Sequence, residues 1–132
     1  MAQILDPKWI DCPAGHEILS DGSGGMETRP RYQVLVDGAS ISWDMDLGLN
    51  AEVTLGGSRT LENPTHLRAG DRFFLIVRQD ETGGNALAFG SAFLFPGGTA
   101  PTVSTAIGAM DVLQFCTDGE VVYYAGIVQA VE

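Results

Sequence analysis

The octet Arg72–Gln79, RFFLIVRQ, constrains this chain more than any other stretch. On an extended backbone Phe73, Leu75 and Val77 share one face, and Phe74 and Ile76 share the other. A strand that is apolar on both faces at its centre is expected mid-sheet, covered on both sides. Turn chemistry closes it at each end. Ala69-Gly70-Asp71 precedes it, and the DETGGN loop of residues 80–85 follows, where Gly83 and Gly84 permit positive φ.

The chain from Arg31 onward follows the same pattern. Residues 32–36 are β-rich and end on Asp37-Gly38, a hairpin signal. Residues 41–47 alternate: Ile41, Trp43, Met45 and Leu47 face one way, Ser42, Asp44 and Asp46 the other. That predicts a half-buried strand. Ala51, Val53 and Leu55 continue after Gly48. Residues 86–93 return as a strand that includes Gly90, and residues 99–108 read as extended or looped. Met110–Thr117, MDVLQFCT, is a strand, Asp118-Gly119 a second hairpin signal, and residues 120–131 the last strand. Helical periodicity nowhere persists beyond about two turns. Seventeen glycines and six prolines among 132 residues fit many short strands and tight turns. The expectation is an all-β fold: an antiparallel β-sandwich, jelly-roll-like, with about seven or eight strands, over residues 32–132.

Residues 1–31 read differently. Pro7, Pro13 and Pro30 punctuate them, DGSGG at residues 21–25 breaks them, and apolar residues come in isolated pairs. They predict an irregular N-terminal arm for docking or linkage, with one short strand at most, around residues 17–20. Trp9, Ile10, Ile18 and Leu19 on such an arm need cover, on their own domain or on another subunit. Tyr123 and Tyr124 are adjacent and face opposite ways, so one of them is surface or interface. These six are the candidate interface residues.

Net charge is −10, from seventeen acids against seven bases. Such a surface repels phosphate backbones and anionic membranes, so neither nucleic acid nor membrane insertion is expected. The N-terminus lacks the pattern of a signal peptide, and no apolar run is long enough to span a bilayer.

Chemistry-bearing residues are sparse. His16 and His66 lack metal-ligand spacing. Asp44 and Asp46 share a strand face, which fits a calcium site, a glycosidase pair or the solvated side of an acidic strand; the last is adopted. Asp80, Glu81 and Asn85 share a loop but lack the ligand rhythm of a calcium loop. The glycine-rich residues 20–25 lack the Lys-Ser/Thr of a phosphate cradle, and no Gly-x-Ser-x-Gly is present. Cys12 and Cys116 form no C-x-x-C and are expected as two buried thiols in a reducing compartment. A bridge between them stays open, because sequence does not give their separation. Trp9, Trp43, Tyr123 and Tyr124 fit a sugar-binding platform, although Trp43 lies on the apolar row and is assigned to the core. No catalytic residue, cofactor or metal is expected.

Four short motifs appear in order: Gln79-Asp80-Glu81-Thr82-Gly83, Phe95-Pro96-Gly97-Gly98-Thr99-Ala100-Pro101-Thr102, Asp111-Val112-Leu113 and Asp118-Gly119. Together, from Leu61 to the C-terminus, they resemble a small β module of tailed-phage virion proteins. Its members are tail fibre, baseplate, head-fibre and capsid-accessory proteins, and the module is also associated with gene transfer agents. The resemblance implies a structural or adhesive role with no shared catalytic residues. It implies other virion proteins as partners, a homo-oligomer with a trimer favoured, and location in the virion after folding in the host cytoplasm. The alternative is a carbohydrate-binding adhesion module that recognises a host surface glycan.

Overall fold

The computed structural model describes residues 29–131. Nine strands occur among them: β1 (Tyr32–Val34), β2 (Ser40–Ile41), β3 (Asn50–Leu55), β4 (Arg59–Leu61), β5 (Arg72–Gln79), β6 (Leu87–Phe89), β7 (Phe93–Leu94), β8 (Met110–Thr117) and β9 (Val122–Val128). Six form a large sheet in the order β1-β3-β5-β8-β9-β7, and three form a small one in the order β2-β4-β6. The two pack as a sandwich, as the all-β reading expects.

Strand direction departs from expectation. The first seven strands alternate between the sheets, odd in the large sheet and even in the small one. β1, β3 and β5 are mutually parallel, and so are β2, β4 and β6. The chain therefore winds in stacked coils, in place of jelly-roll hairpins. Only β8 runs against its neighbours, since β9 pairs antiparallel to it and β7 pairs parallel to β9.

The corners explain the difference. Asp37-Gly38 is not a hairpin. The Asp37 carboxylate accepts from Arg59 Nε at 2.8 Å, from Arg59 Nη2 at 2.9 Å and from the Gly56 N–H at 3.2 Å. It ties the corner after β1 to the corner after β3, one coil further on. Its bonds to Arg59 hold its carboxyl below the ordinary carboxylate value. The segment 86–93 is likewise two strands in different sheets. The break falls at Gly90, where a Cβ would lie 2.3 Å from Asn63 Oδ1. That same oxygen accepts the Ala92 N–H at 2.8 Å. Asp118-Gly119 is the hairpin that the sequence predicts: Asp118 Oδ1 accepts the N–H groups of Glu120 and Val121.

Residues 41–47 bury Ile41, Trp43 and Met45 as expected, but the strand stops at Ile41. Asp44 caps a 3-10 turn at Met45–Leu47 by accepting the Asp46 N–H, and Leu47 swings out to 61% exposure. The core continues through aromatic contacts. Trp43 lies 5.3 Å from Phe73, Phe73 lies 5.9 Å from Phe115, and Phe115 lies 5.5 Å from Phe93.

β5 is central, between β3 and β8. Phe73, Leu75 and Val77 enter the core, whereas Phe74 and Ile76 stay half-buried on the outside. Among the described residues no third layer of strands covers that outer face. Cys116 is buried but is disulfide-bonded, which corrects the expectation of a free thiol there. The last residues of the expected arm are already fastened: Pro30 and Arg31 carbonyls accept the N–H groups of Leu49 and Asn50.

Phe115 stands at the junction of four aromatic contacts at 1% exposure. Phe115→Ala is expected to cost about 3–5 kcal/mol of stability, read as a lower denaturation midpoint in urea at unchanged slope.

Candidate functional site

Both sheets end on the same coil. β1 is the outermost strand of the large sheet and β2 of the small one. Leu35 donates to Glu52, and Asn50 donates to Arg31, so residues 31 and 35 turn their backbone toward β3. By alternation Tyr32, Val34 and Val36 turn theirs outward. Their side chains leave apolar surface at this rim: Val34 is 66% and Val36 82% exposed. A groove of about 480 Å³ runs between the two edge strands, bordered by Val34, Val36, Ser40, Ser42 and Leu47.

The floor of the groove is held firmly. Gln33 Nε2 donates to both Asp44 O and Gly48 O at 2.8 Å. Gly48 approaches so closely that a Cβ there would sit 2.8 Å from the Gln33 nitrogen. The Tyr32 hydroxyl donates to Glu52. Burial first, and that bond second, push it up to about 12.

Beside the groove lies an ionic cluster. His66 Nδ1 is 2.7 Å from Asp44 Oδ1 and 3.6 Å from Asp46 Oδ2, and Arg68 Nη2 is 3.2 Å from Asp46 Oδ1. A parallel bridge between Asp44 and Thr65 brings the two segments together. Donor atoms of Asp44, Asp46 and His66 lie within 4.8 Å of one another, a spacing that suits a cation. Those donors are nonetheless engaged with each other and with Arg68. The bond to His66 holds the Asp44 carboxyl below the ordinary value. A glycosidase pair needs one carboxyl raised so that it keeps its proton, and Asp44 is not that group. His16, the other histidine, lies outside the described residues.

At the opposite ends of the strands, the motifs around Gln79-Asp80 and Asp111 meet at one loop, while Asp118-Gly119 lies at the other end of β8. Gln79 falls in phase with the buried row of β5. Its Nε2 donates to Asn85 O at 2.7 Å and to Ser104 O at 2.9 Å. Asp80 Oδ1 accepts the N–H groups of Thr82 and Gly83, so the candidate calcium loop is a turn closed on itself. Gly83, at φ 70°, packs where a Cβ would meet Thr105 O at 2.9 Å. Asp111 is 1% exposed and accepts from Ser104 N at 2.6 Å and Ala130 N at 2.8 Å. The sequence marks Asp111 and Gln79 as motif members and does not reveal the bracing role of Gln79. A polar residue on an apolar row is the signal that marks it.

Tyr124 packs at 5.6 Å from Phe95 and 6.2 Å from Phe115, against the core. Tyr123 donates its hydroxyl to Asp118 Oδ2 at 3.1 Å on the other face. Trp9, Ile10, Ile18 and Leu19 lie outside the described residues.

Two outcomes are expected. The bond to Asp44 raises His66 above the ordinary histidine value. That contact is complete below the ordinary value and is lost as pH climbs through the raised one. Asp44 acts in reverse, its share present above the ordinary carboxylate value and lost as pH falls through the lowered one. In a proton NMR titration His66 should lose its proton above about pH 6.5, and Asp44→Asn should move that midpoint down. Asp111→Ala strands two loop N–H groups and should cost about 1.5–3 kcal/mol in urea denaturation.

Residues 48–121, more than half of the chain, match the model of a family described as "Putative phage tail fibre C-terminal domain". No curated protein and no solved structure matches the chain.

Proposed function

The chain belongs to the phage tail fibre C-terminal domain family, and from that premise we propose that it is a structural component of a tailed-phage virion that works through assembly contacts. The tail fibre is the place this reading selects over baseplate or capsid decoration. Its partners are other virion proteins and further copies of itself, folded in the host cytoplasm before assembly. A trimer is the favoured oligomer, by analogy with the family.

One observation supports the reading above the rest. Both sheets present their terminal strands, β1 and β2, on one side of the domain, with exposed Val34 and Val36 beside a rigid groove. A strand edge with outward backbone groups and apolar side chains offers hydrogen bonds and buried area to a second polypeptide. The ionic cluster nearby supplies polar contacts at the rim. Of the aromatics named for the carbohydrate alternative, Trp43 is 1% exposed and Tyr124 is packed on the core. Among the described residues that leaves Tyr123, tied to Asp118, as a meagre platform, and Trp9 lies outside them.

Purified particles labelled with an antibody to this protein should show label on the tail by electron microscopy. The double variant Val34→Asp, Val36→Asp should keep the circular dichroism of the parent yet be missing from particles. Label on the capsid, or full incorporation of the variant, would sink this reading.

A further inference from the structure

The outer face of the large sheet is built to be covered. Arg72, Phe74, Ile76 and Arg78 of β5 point away from the core, opposite Cys116, Gln114, Val112 and Met110 of β8. Between the two strands lies a hollow of about 220 Å³, with Phe74 and Val112 beneath it and Asn50, Arg72 and Gln114 at its rim. A strand apolar on both faces calls for two layers, and the small sheet supplies only one.

We propose that residues 1–28 of the same chain form the second layer, clipped by a disulfide between Cys12 and Cys116 that sets Trp9-Ile10 over the hollow. This is independent of the virion reading.

Three observations support it. First, Cys116 stands on the outer row, directly across from Arg72, and is disulfide-bonded. The chain has one other cysteine, Cys12. Second, the segment enters at the right place. Arg29 grips Asp71 through two bonds, Nη1 to Oδ2 at 2.7 Å and Nη2 to Oδ1 at 3.0 Å, immediately before Arg72. The seventeen residues from Cys12 to Arg29 span up to roughly 55 Å, far beyond the distance needed. The glycines at residues 21–25 allow the chain to double back. Third, reach and charge agree. Trp9, three residues before Cys12, lies within roughly 10 Å of the bridge. Along β8, Gln114 is about 7 Å and Val112 about 13 Å from Cys116. That reach is enough for Trp9 and Ile10 to meet the apolar floor and for Asp11 to meet Arg72. Residues 1–28 carry Asp6, Asp11, Glu17, Asp21 and Glu27 against the single base Lys8, while the face they would cover carries Arg72 and Arg78, the latter 3.6 Å from Glu52 of β3.

Closing the bridge joins two sulfurs and releases two protons and two electrons. A small-molecule disulfide takes them and leaves as two thiols.

The test uses the full chain. Equal amounts of ¹⁴N- and ¹⁵N-labelled protein are unfolded, reduced, mixed, refolded with oxidised glutathione and digested with trypsin without reductant. Mass spectrometry should find the Cys12 and Cys116 peptides linked, with both halves carrying the same label. Linked pairs of mixed label would mean that a second copy supplies the segment, and would overturn the proposal. So would the absence of a linked pair. Acrylamide quenching then reports the hollow. Trp9 fluorescence, obtained by subtracting the Trp9→Ala variant, should be protected in the oxidised protein and lose that protection in Cys12→Ser and in Cys116→Ser. Trp43 should stay protected in both, which shows that the core is folded. A Trp9 quenched freely in the oxidised protein would also overturn the proposal.

Discussion

Two parallel strands side by side cannot be joined by a tight turn. In many folds a helix makes the crossing. Here the chain crosses to a second sheet and returns, so each coil contributes one strand to each layer. That necessity explains much of the molecule. The corners must be held, since a free corner would let coils slip in register. Asp37 and Arg59 join successive corners on one side, and Asn63 holds the backbone around Gly90 on another. The core fills because inward rows from both sheets meet around Trp43 and Phe115.

Much of the fold was legible in the residues. β5 and β8 coincide with the runs read as strands, and Trp43 lies where its alternation puts it. Direction was not legible. Asp37-Gly38 has the composition of a hairpin, and its side chain finds a remote guanidinium in place of a local partner. The pattern from Ile41 to Leu47 gave the right inward residues and the wrong backbone, because a 3-10 turn and a short strand both bury Trp43 and Met45. β4 escaped notice: Arg-Thr-Leu is too short and too mixed to show a period.

The candidate site was less legible than the fold, for a physical reason. Asp44 and Asp46 stood out in the sequence, but His66 joins them only because Thr65 bridges to Asp44 across the coil. The groove beside them belongs to no motif. It exists because two sheets end together, which is a property of topology. The motifs that do stand out, around Gln79, Asp80 and Asp111, fasten one loop to the sandwich.

The reversed strand has a consequence for the order of events during synthesis. β7 leaves the ribosome before β8 and β9, yet among the described residues its only neighbour in the large sheet is β9. Phe93 and Leu94 must wait, unpaired, until the final hairpin has threaded itself between them and β5. The coils can accumulate one by one, but the large sheet closes in a single late act. A polypeptide halted before that hairpin would present an unfinished edge to its neighbours, at a moment when many identical chains are being made close together.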